Sequence, residues 1–108
     1  MSARVPFKPI DTAEAEALIC AGGVIILDIR DAESFARDHI SGAKNVTITN
    51  LFNVLDGVAK DSHILIYCYH GYASQEFGQL LSDFRYTKVY SLNGGYEAWI
   101  NRAHTFAG

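Results

Sequence analysis

The segment His63-Ile64-Leu65-Ile66-Tyr67-Cys68 constrains the fold more than any other part of the chain. It is a short, unbroken apolar run without the polar alternation of a half-exposed strand. A second run of the same kind is Val24-Ile25-Ile26-Leu27. Continuous apolar runs fit strands buried on both faces, as in a parallel sheet covered by helices.

The segments between these runs carry helical signals. Asp11-Thr12-Ala13-Glu14 reads as a capping box, with Ile10 placed to staple the first turn. The helix should run to about Cys20 and stop at Gly22-Gly23. Asp31 is placed to cap a short helix through Phe35 and Arg37. Lys44 to Ile48 reads as a strand, and Thr49 as the cap of a helix carrying Leu51, Phe52, Val54 and Leu55. After Cys68 and a turn at Gly71, Ala73, Phe77, Leu80, Leu81 and Phe84 fall on one helical face. Lys88 to Leu92 is the next expected strand, Asn93-Gly94-Gly95 a turn, and Tyr96 to Arg102 a closing helix with Trp99 facing inward. Pro6 and Pro9 mark only the approach to the first helix. Alternation repeated this often predicts an α/β fold with a central, mainly parallel sheet flanked by helices on both faces. With 108 residues, one domain spanning 1–108 is expected.

Composition narrows the function classes. The chain is 49% hydrophobic and 19% charged, the balance of a folded soluble protein. A net charge of −3 offers no basic field, so neither nucleic acid nor an anionic membrane is expected as a partner. No apolar run approaches the roughly 20 residues of a membrane helix. Residues 1–9 carry no signal-peptide core, and Cys20 and Cys68 show no disulfide or metal-ligand spacing. A cytoplasmic protein with free thiols is the expectation. His39, His63 and His104 likewise show no spacing for a metal.

Ligands in such folds sit beyond the carboxyl ends of the strands. The best-marked place is Cys68, which ends a strand before Tyr69-His70-Gly71-Tyr72-Ala73-Ser74 opens a helix. A loop curling into a helix start aims several N–H groups at one spot and favours negative charge there. A thiol so placed ionises easily, and the thiolate is the nucleophile. No carboxylate lies between Ile64 and Ser74 to oppose it. The competing reading is an inert core cysteine. For Cys20, near the end of an amphipathic helix, packing is the expected role. Ser74 either bonds the sulfur or caps the helix, with capping expected. His70 either tunes the site or is an exposed loop imidazole. Tyr69 and Tyr72 either wall the pocket or pack at the surface. His39 is read as fixing a turn, Trp99 as core, and Gly94-Gly95 as framing the site from outside.

These residues match a known pattern. CYHGYAS at 68–74 resembles the active-site loop of the rhodaneses, which are sulfurtransferases. DIRDAESFARDHISGAKNV at 28–46 and NGGYEAW at 93–99 are similar to that family's two flanking motifs, in the right order. The likeness is greatest to single-domain bacterial thiosulfate sulfurtransferases of the GlpE type. The resemblance implies that Cys68 attacks the outer sulfur of thiosulfate, releases sulfite and carries a persulfide. A thiophilic acceptor then takes the sulfur: cyanide in the assay, and a dithiol such as thioredoxin in the cell. No metal or organic cofactor is implied. The substrate-binding loop would be Tyr69, His70, Gly71, Tyr72, Ala73 and Ser74. Asp28 and Arg30 are read as structural, tying loops together.

The chain also departs from the family. Ala73 stands where many rhodaneses have an arginine, and Gln75 and Glu76 follow where some relatives have a lysine. Donor binding should then rest on loop amides, Ser74 and His70, and be weak. In the phosphatase pattern C-x5-R the arginine would fall at Ser74, so phosphoryl transfer is not expected. The remaining alternatives are a sulfur-carrier domain and a non-catalytic binding module.

Overall fold

A computed structural model describes residues 4–107, with side chains described through Arg102. Met1–Ala3 and the side chain of His104 therefore lie outside the described residues. The element order is β1 (Lys8–Ile10), α1 (Thr12–Ala21), β2 (Ile25–Asp28), α2 (Ala32–Arg37), β3 (Lys44–Asn45), α3 (Leu51–Val54), β4 (His63–Tyr67), α4 (Ala73–Asp83), β5 (Lys88–Leu92) and α5 (Gly95–Ala107). The five strands form one sheet in the order β1-β5-β4-β2-β3, and every pairing is parallel.

The two faces of β4 show why its run has no polar alternation. Ile64 and Ile66 enter one core cluster with Leu51 and Leu81, from α3 and α4. Leu65 and Tyr67 enter the other with Ala15, backed by Phe35, Tyr96 and Trp99 from α2 and α5. All four β4 residues are 0% exposed. Each buried aliphatic side chain contributes roughly 1.5–3 kcal/mol, so this strand anchors both layers.

The capping box forms as read: the Asp11 carboxylate accepts the Glu14 amide at 2.8 Å, and Glu14 accepts the Asp11 amide at 3.3 Å. Ile10 and Ala15, the staple pair, share one cluster. Asp31 caps α2 by accepting the Ser34 amide at 3.0 Å.

Several expectations are corrected. Lys8–Ile10 is an edge strand on β5, tolerating Pro9 because an edge need not use every N–H. β3 is only two residues long. After Val46 donates to the Asp28 carbonyl at 2.9 Å, Thr47 and Asn50 bond each other and turn the chain away. Ile48 is left 61% exposed. Thr49 does not cap α3; Asn50 occupies that position, its side chain spent on the Thr47 amide. In α4, Leu81 enters the first core cluster with Phe77 and Leu80 packed against it, as expected, but Ala73 is exposed and Phe84 is the exposed C-cap, while Ser74, Gly78 and Ser82 are buried. The helix turns its small residues inward because Phe7 lies against Gly78, where an added Cβ would meet its ring at 2.8 Å. Cys20 is exposed and so has no packing role. Trp99 is half-buried against the second cluster, with the Arg102 guanidinium 3.5 Å over its ring.

Candidate active site

The sheet order puts β4 third of five, and Cys68 follows its last residue. The loop Tyr69–Tyr72 then leads directly into α4. The Cys68 sulfur is buried under this loop, the residue being 5% exposed. Its Sγ accepts the Gly71 amide at 3.1 Å and the Ser74 amide at 3.4 Å, and it lies 3.6 Å from the Ser74 hydroxyl. A sulfur held by two amides and a hydroxyl is a site for an anion. The first turn of α4 adds its dipole.

What makes the loop curl inward is visible on its other side. The start of α5 has N–H groups with no partner inside the helix. Tyr96 donates to the Cys68 carbonyl at 2.8 Å, and Glu97 to the Tyr69 carbonyl at 3.2 Å. With its carbonyls bound outward, the loop turns later amides toward the sulfur. The approach is close enough to demand glycine: a Cβ on Gly95 would sit 2.5 Å from the Tyr69 oxygen, and one on Gly71 2.9 Å from the Gly94 nitrogen. Gly71 has φ +98°, open to glycine at little cost.

The electrostatic balance favours ionisation. Burial pushes the Cys68 thiol up, but the Ser74 hydroxyl and the amides of Ser74, Gly71 and His70 outweigh it. The thiol therefore lies below its ordinary value of 9.0.

Ser74 is not a cap. It lies inside α4, is 0% exposed, and exchanges a 2.8 Å hydrogen bond with the buried Ser91 hydroxyl from β5. The N-cap is Tyr72, whose side chain makes no capping bond. The expected ring of amides from Tyr69 to Ser74 is narrower than read: Gly71 and Ser74 bond Sγ at 3.1 and 3.4 Å, and the His70 amide adds to the stabilisation of its charge. Two distant carboxylates do approach the loop. The Tyr69 hydroxyl donates to Asp31 and also meets the Ser34 hydroxyl, and His70 Nδ1 lies 3.7 Å from Glu97. Each acid faces a loop side chain.

The mouth above Cys68 is a cavity of about 200 Å³ lined by Tyr69, His70, Tyr72 and Ala73 as well. Tyr72 is 78% exposed at its rim. Among the described residues no lysine or arginine lines it.

Asp28 and Arg30 form a buried pair at 2.7 Å, with side chains 0% and 4% exposed. Arg30 also reaches the Asp38 carbonyl at 2.6 Å, and Asn45 bonds the carbonyls of both Asp28 and Arg30. These bonds tie the segments that follow β2 and α2 to β3, as expected of structural residues. His39 fixes its turn through Nδ1 on the Phe35 carbonyl at 2.7 Å. Asp31 was read as a cap, but neither its contact with the Tyr69 hydroxyl, shared with Ser34, nor the role of Ser91 was foreseen. The one available signal was Ser91 itself, a hydroxyl inside an apolar strand, which needs a partner there.

Among the described residues no three His, Cys, Asp or Glu side chains cluster to hold a metal, and no helix is long and apolar enough to cross a membrane.

The chain is similar to known proteins. The chain is 39% identical over 100 residues to a thiosulfate sulfurtransferase GlpE of Stutzerimonas stutzeri, covering 93% of this chain and 88% of the relative. It is 36% identical over 98 residues to the protein of that name from Coxiella burnetii, covering 91% and 90%. A rhodanese-like domain protein from Staphylococcus aureus superposes with a TM-score of 0.72 at 26% identity, over 86% of this chain and 91% of that one. The model of the rhodanese-like domain family matches residues 11–102, and with the parallel sheet and the strand-end cysteine loop in place, the chain belongs to that family.

Proposed function

We propose that this protein is a sulfurtransferase in which Cys68 is the nucleophile and Tyr69 to Ser74 form the substrate loop. Thiosulfate is the donor. The Cys68 thiolate attacks its outer sulfur, the S–S bond of thiosulfate breaks, and sulfite leaves with the bonding pair. Cys68 then carries a persulfide, which a thiophilic acceptor discharges: cyanide in the assay, a dithiol such as thioredoxin in the cell. The two half-reactions predict ping-pong kinetics.

One observation carries this reading: a buried sulfur at a strand end receives hydrogen bonds from the Gly71 and Ser74 amides. Such donors stabilise the bare thiolate. They also serve the persulfide anion, because the loop is already aimed at the spot where charge sits. With no lysine or arginine lining the mouth, donor affinity rests on amides and on His70. Weak thiosulfate binding follows. Phosphoryl transfer is disfavoured, because a phosphoryl group needs a cation where Ser74 stands.

The test is intact mass after incubation with thiosulfate. A gain of one sulfur atom, absent in Cys68→Ser and removed by cyanide with formation of thiocyanate, is the expected result. An unchanged mass would favour a binding module. A mass gain that cyanide cannot discharge, but a protein dithiol can, would favour a sulfur carrier.

A further inference from the structure

Ser91 stands in β5 opposite Ile66 of β4, two residues after Val89. Val89 enters the core cluster that holds Leu81 of α4. Alternate residues of a strand share a face, so Ser91 also points toward α4. It is 1% exposed there, and burying a hydroxyl costs stability that an apolar residue would not. Among the described residues its side chain makes one hydrogen bond, to the Ser74 hydroxyl at 2.8 Å. The Ser74 hydroxyl in turn lies 3.6 Å from the Cys68 sulfur. Two buried hydroxyls therefore lead from the sheet to the reacting atom.

The protons in this chain can be counted. Each hydroxyl has one to donate. A neutral Cys68 donates its own proton to Ser74 Oγ. An ionised Cys68 has none, so Ser74 must turn its proton to the sulfur. The bond between the two serines then holds in one direction only, Ser91 donating and Ser74 accepting. A hydroxyl that accepts one hydrogen bond is polarised into a better donor in the next. Ser91 also keeps Ser74 in place, because a helix serine with a free hydroxyl turns to the backbone carbonyl one turn back.

We propose that Ser91 is a positioning residue for the sulfur chemistry: by donating to Ser74 it aims the Ser74 proton at Sγ whenever negative charge sits there. This role rests on the sulfurtransferase reading above, and it belongs to one half-reaction. When the thiolate attacks thiosulfate, charge leaves Sγ, and in the persulfide anion it sits on the outer sulfur. When cyanide takes that outer sulfur, the bond to Sγ breaks and its electron pair returns to Sγ. Thiocyanate leaves, and Cys68 is a thiolate again. The hydroxyl chain tightens as charge arrives at Sγ, so it speeds discharge and not loading.

The test is made in Cys20→Ser, which leaves Cys68 as the one thiol to titrate. In Ser91→Ala the ionisation constant of Cys68, read from the pH dependence of alkylation, should fall about 2- to 10-fold, the range for one neutral hydrogen bond. In a Ser74→Ala background the same change should have no effect, because it acts through Ser74. Steady-state kinetics should show kcat/KM for cyanide falling several-fold, while kcat/KM for thiosulfate, taken above the thiol midpoint, does not fall. Ser91→Thr and Ser91→Val share one shape and differ in the hydroxyl, so they decide the matter should Ser91→Ala not fold. Thr should hold the wild-type constant and Val should lose it. A constant unmoved by Ser91→Ala, equal in the Thr and Val variants, or moved as much without Ser74 as with it, would overturn the assignment. So would an equal fall in both half-reactions, the mark of a merely structural residue. The titration involves no sulfur transfer, so it judges Ser91 even where thiosulfate fails to load Cys68, a result that sinks the sulfurtransferase reading instead.

Discussion

Replacing Gly95 with alanine tests how the loop is held. The new methyl would lie 2.5 Å from the Tyr69 oxygen, 2.6 Å from the Cys68 oxygen and 2.6 Å from the Tyr69 carbonyl carbon. Carbon contacts below 3.0 Å do not persist, so loop and helix must part by at least about 0.5 Å. That movement strains the bonds from Tyr96 to Cys68 and from Glu97 to Tyr69, at 2.8 and 3.2 Å. Each contributes about 0.5–1.5 kcal/mol. Alanine at φ +61° adds about 1–2 kcal/mol. The expected destabilisation is about 2–5 kcal/mol, read by urea unfolding. The same shift lengthens and weakens the bond from the Gly71 amide to Sγ, now 3.1 Å. Sulfite release with thiosulfate and cyanide should then fall roughly 10- to 100-fold in kcat/KM. Gly57→Ala is the control. It has φ +78° with nothing within 4 Å of the added Cβ, so it pays only the backbone cost and keeps its activity. If Gly95→Ala loses no more stability than Gly57→Ala and keeps full activity, the clamp from α5 does not position the loop.

Three other outcomes follow from the same geometry. Ser74→Ala removes the hydroxyl beside Sγ and strands the Ser91 hydroxyl, so unfolding free energy should drop about 1–3 kcal/mol and the Cys68 alkylation midpoint should move up toward 9.0. Asp28→Asn leaves the Arg30 guanidinium buried without its counter-charge and should cost about 3–5 kcal/mol in urea unfolding. Asp31 is held down at about 2, first by the Tyr69 hydroxyl and then by Ser34, against an ordinary 3.8. Its carboxylate therefore favours the fold above pH 3.8, and that contribution is lost as pH falls through about 2. Carboxyl NMR titration of Tyr69→Phe should show the Asp31 midpoint rising, while an unmoved midpoint would mean that Tyr69 does not hold it.

The layered α/β architecture was legible because β4 and β2 are buried on both faces, which leaves continuous apolar runs. Helix starts were legible where a short acid stood at the cap, as at Asp11 and Asp31, because capping is a local interaction. β1 was hidden because three residues with a central proline carry no periodicity, and only pairing with β5 makes them a strand. Ile48 and Phe84 fall outside the expected elements because hydrophobicity alone cannot tell a turn made by Thr47 and Asn50, or a helix that ends at Asp83, from a regular continuation. At the site, Cys68 was legible from its position between strand and helix. The role of Ser74 was not, because it depends on Ser91, seventeen residues further along. Nor could local sequence show Gly95 pressing on the Cys68 and Tyr69 carbonyls, since that contact exists only once α5 docks.

The central claim is that backbone and hydroxyl donors make the Cys68 thiol easier to ionise despite its burial. It is tested by titrating the thiolate's ultraviolet absorbance in Cys20→Ser, which silences the exposed second thiol. A single transition with its midpoint below 9.0, lost in Cys20→Ser/Cys68→Ser, is the predicted result. A midpoint at or above 9.0 would show that burial outweighs the donors and would contradict the account.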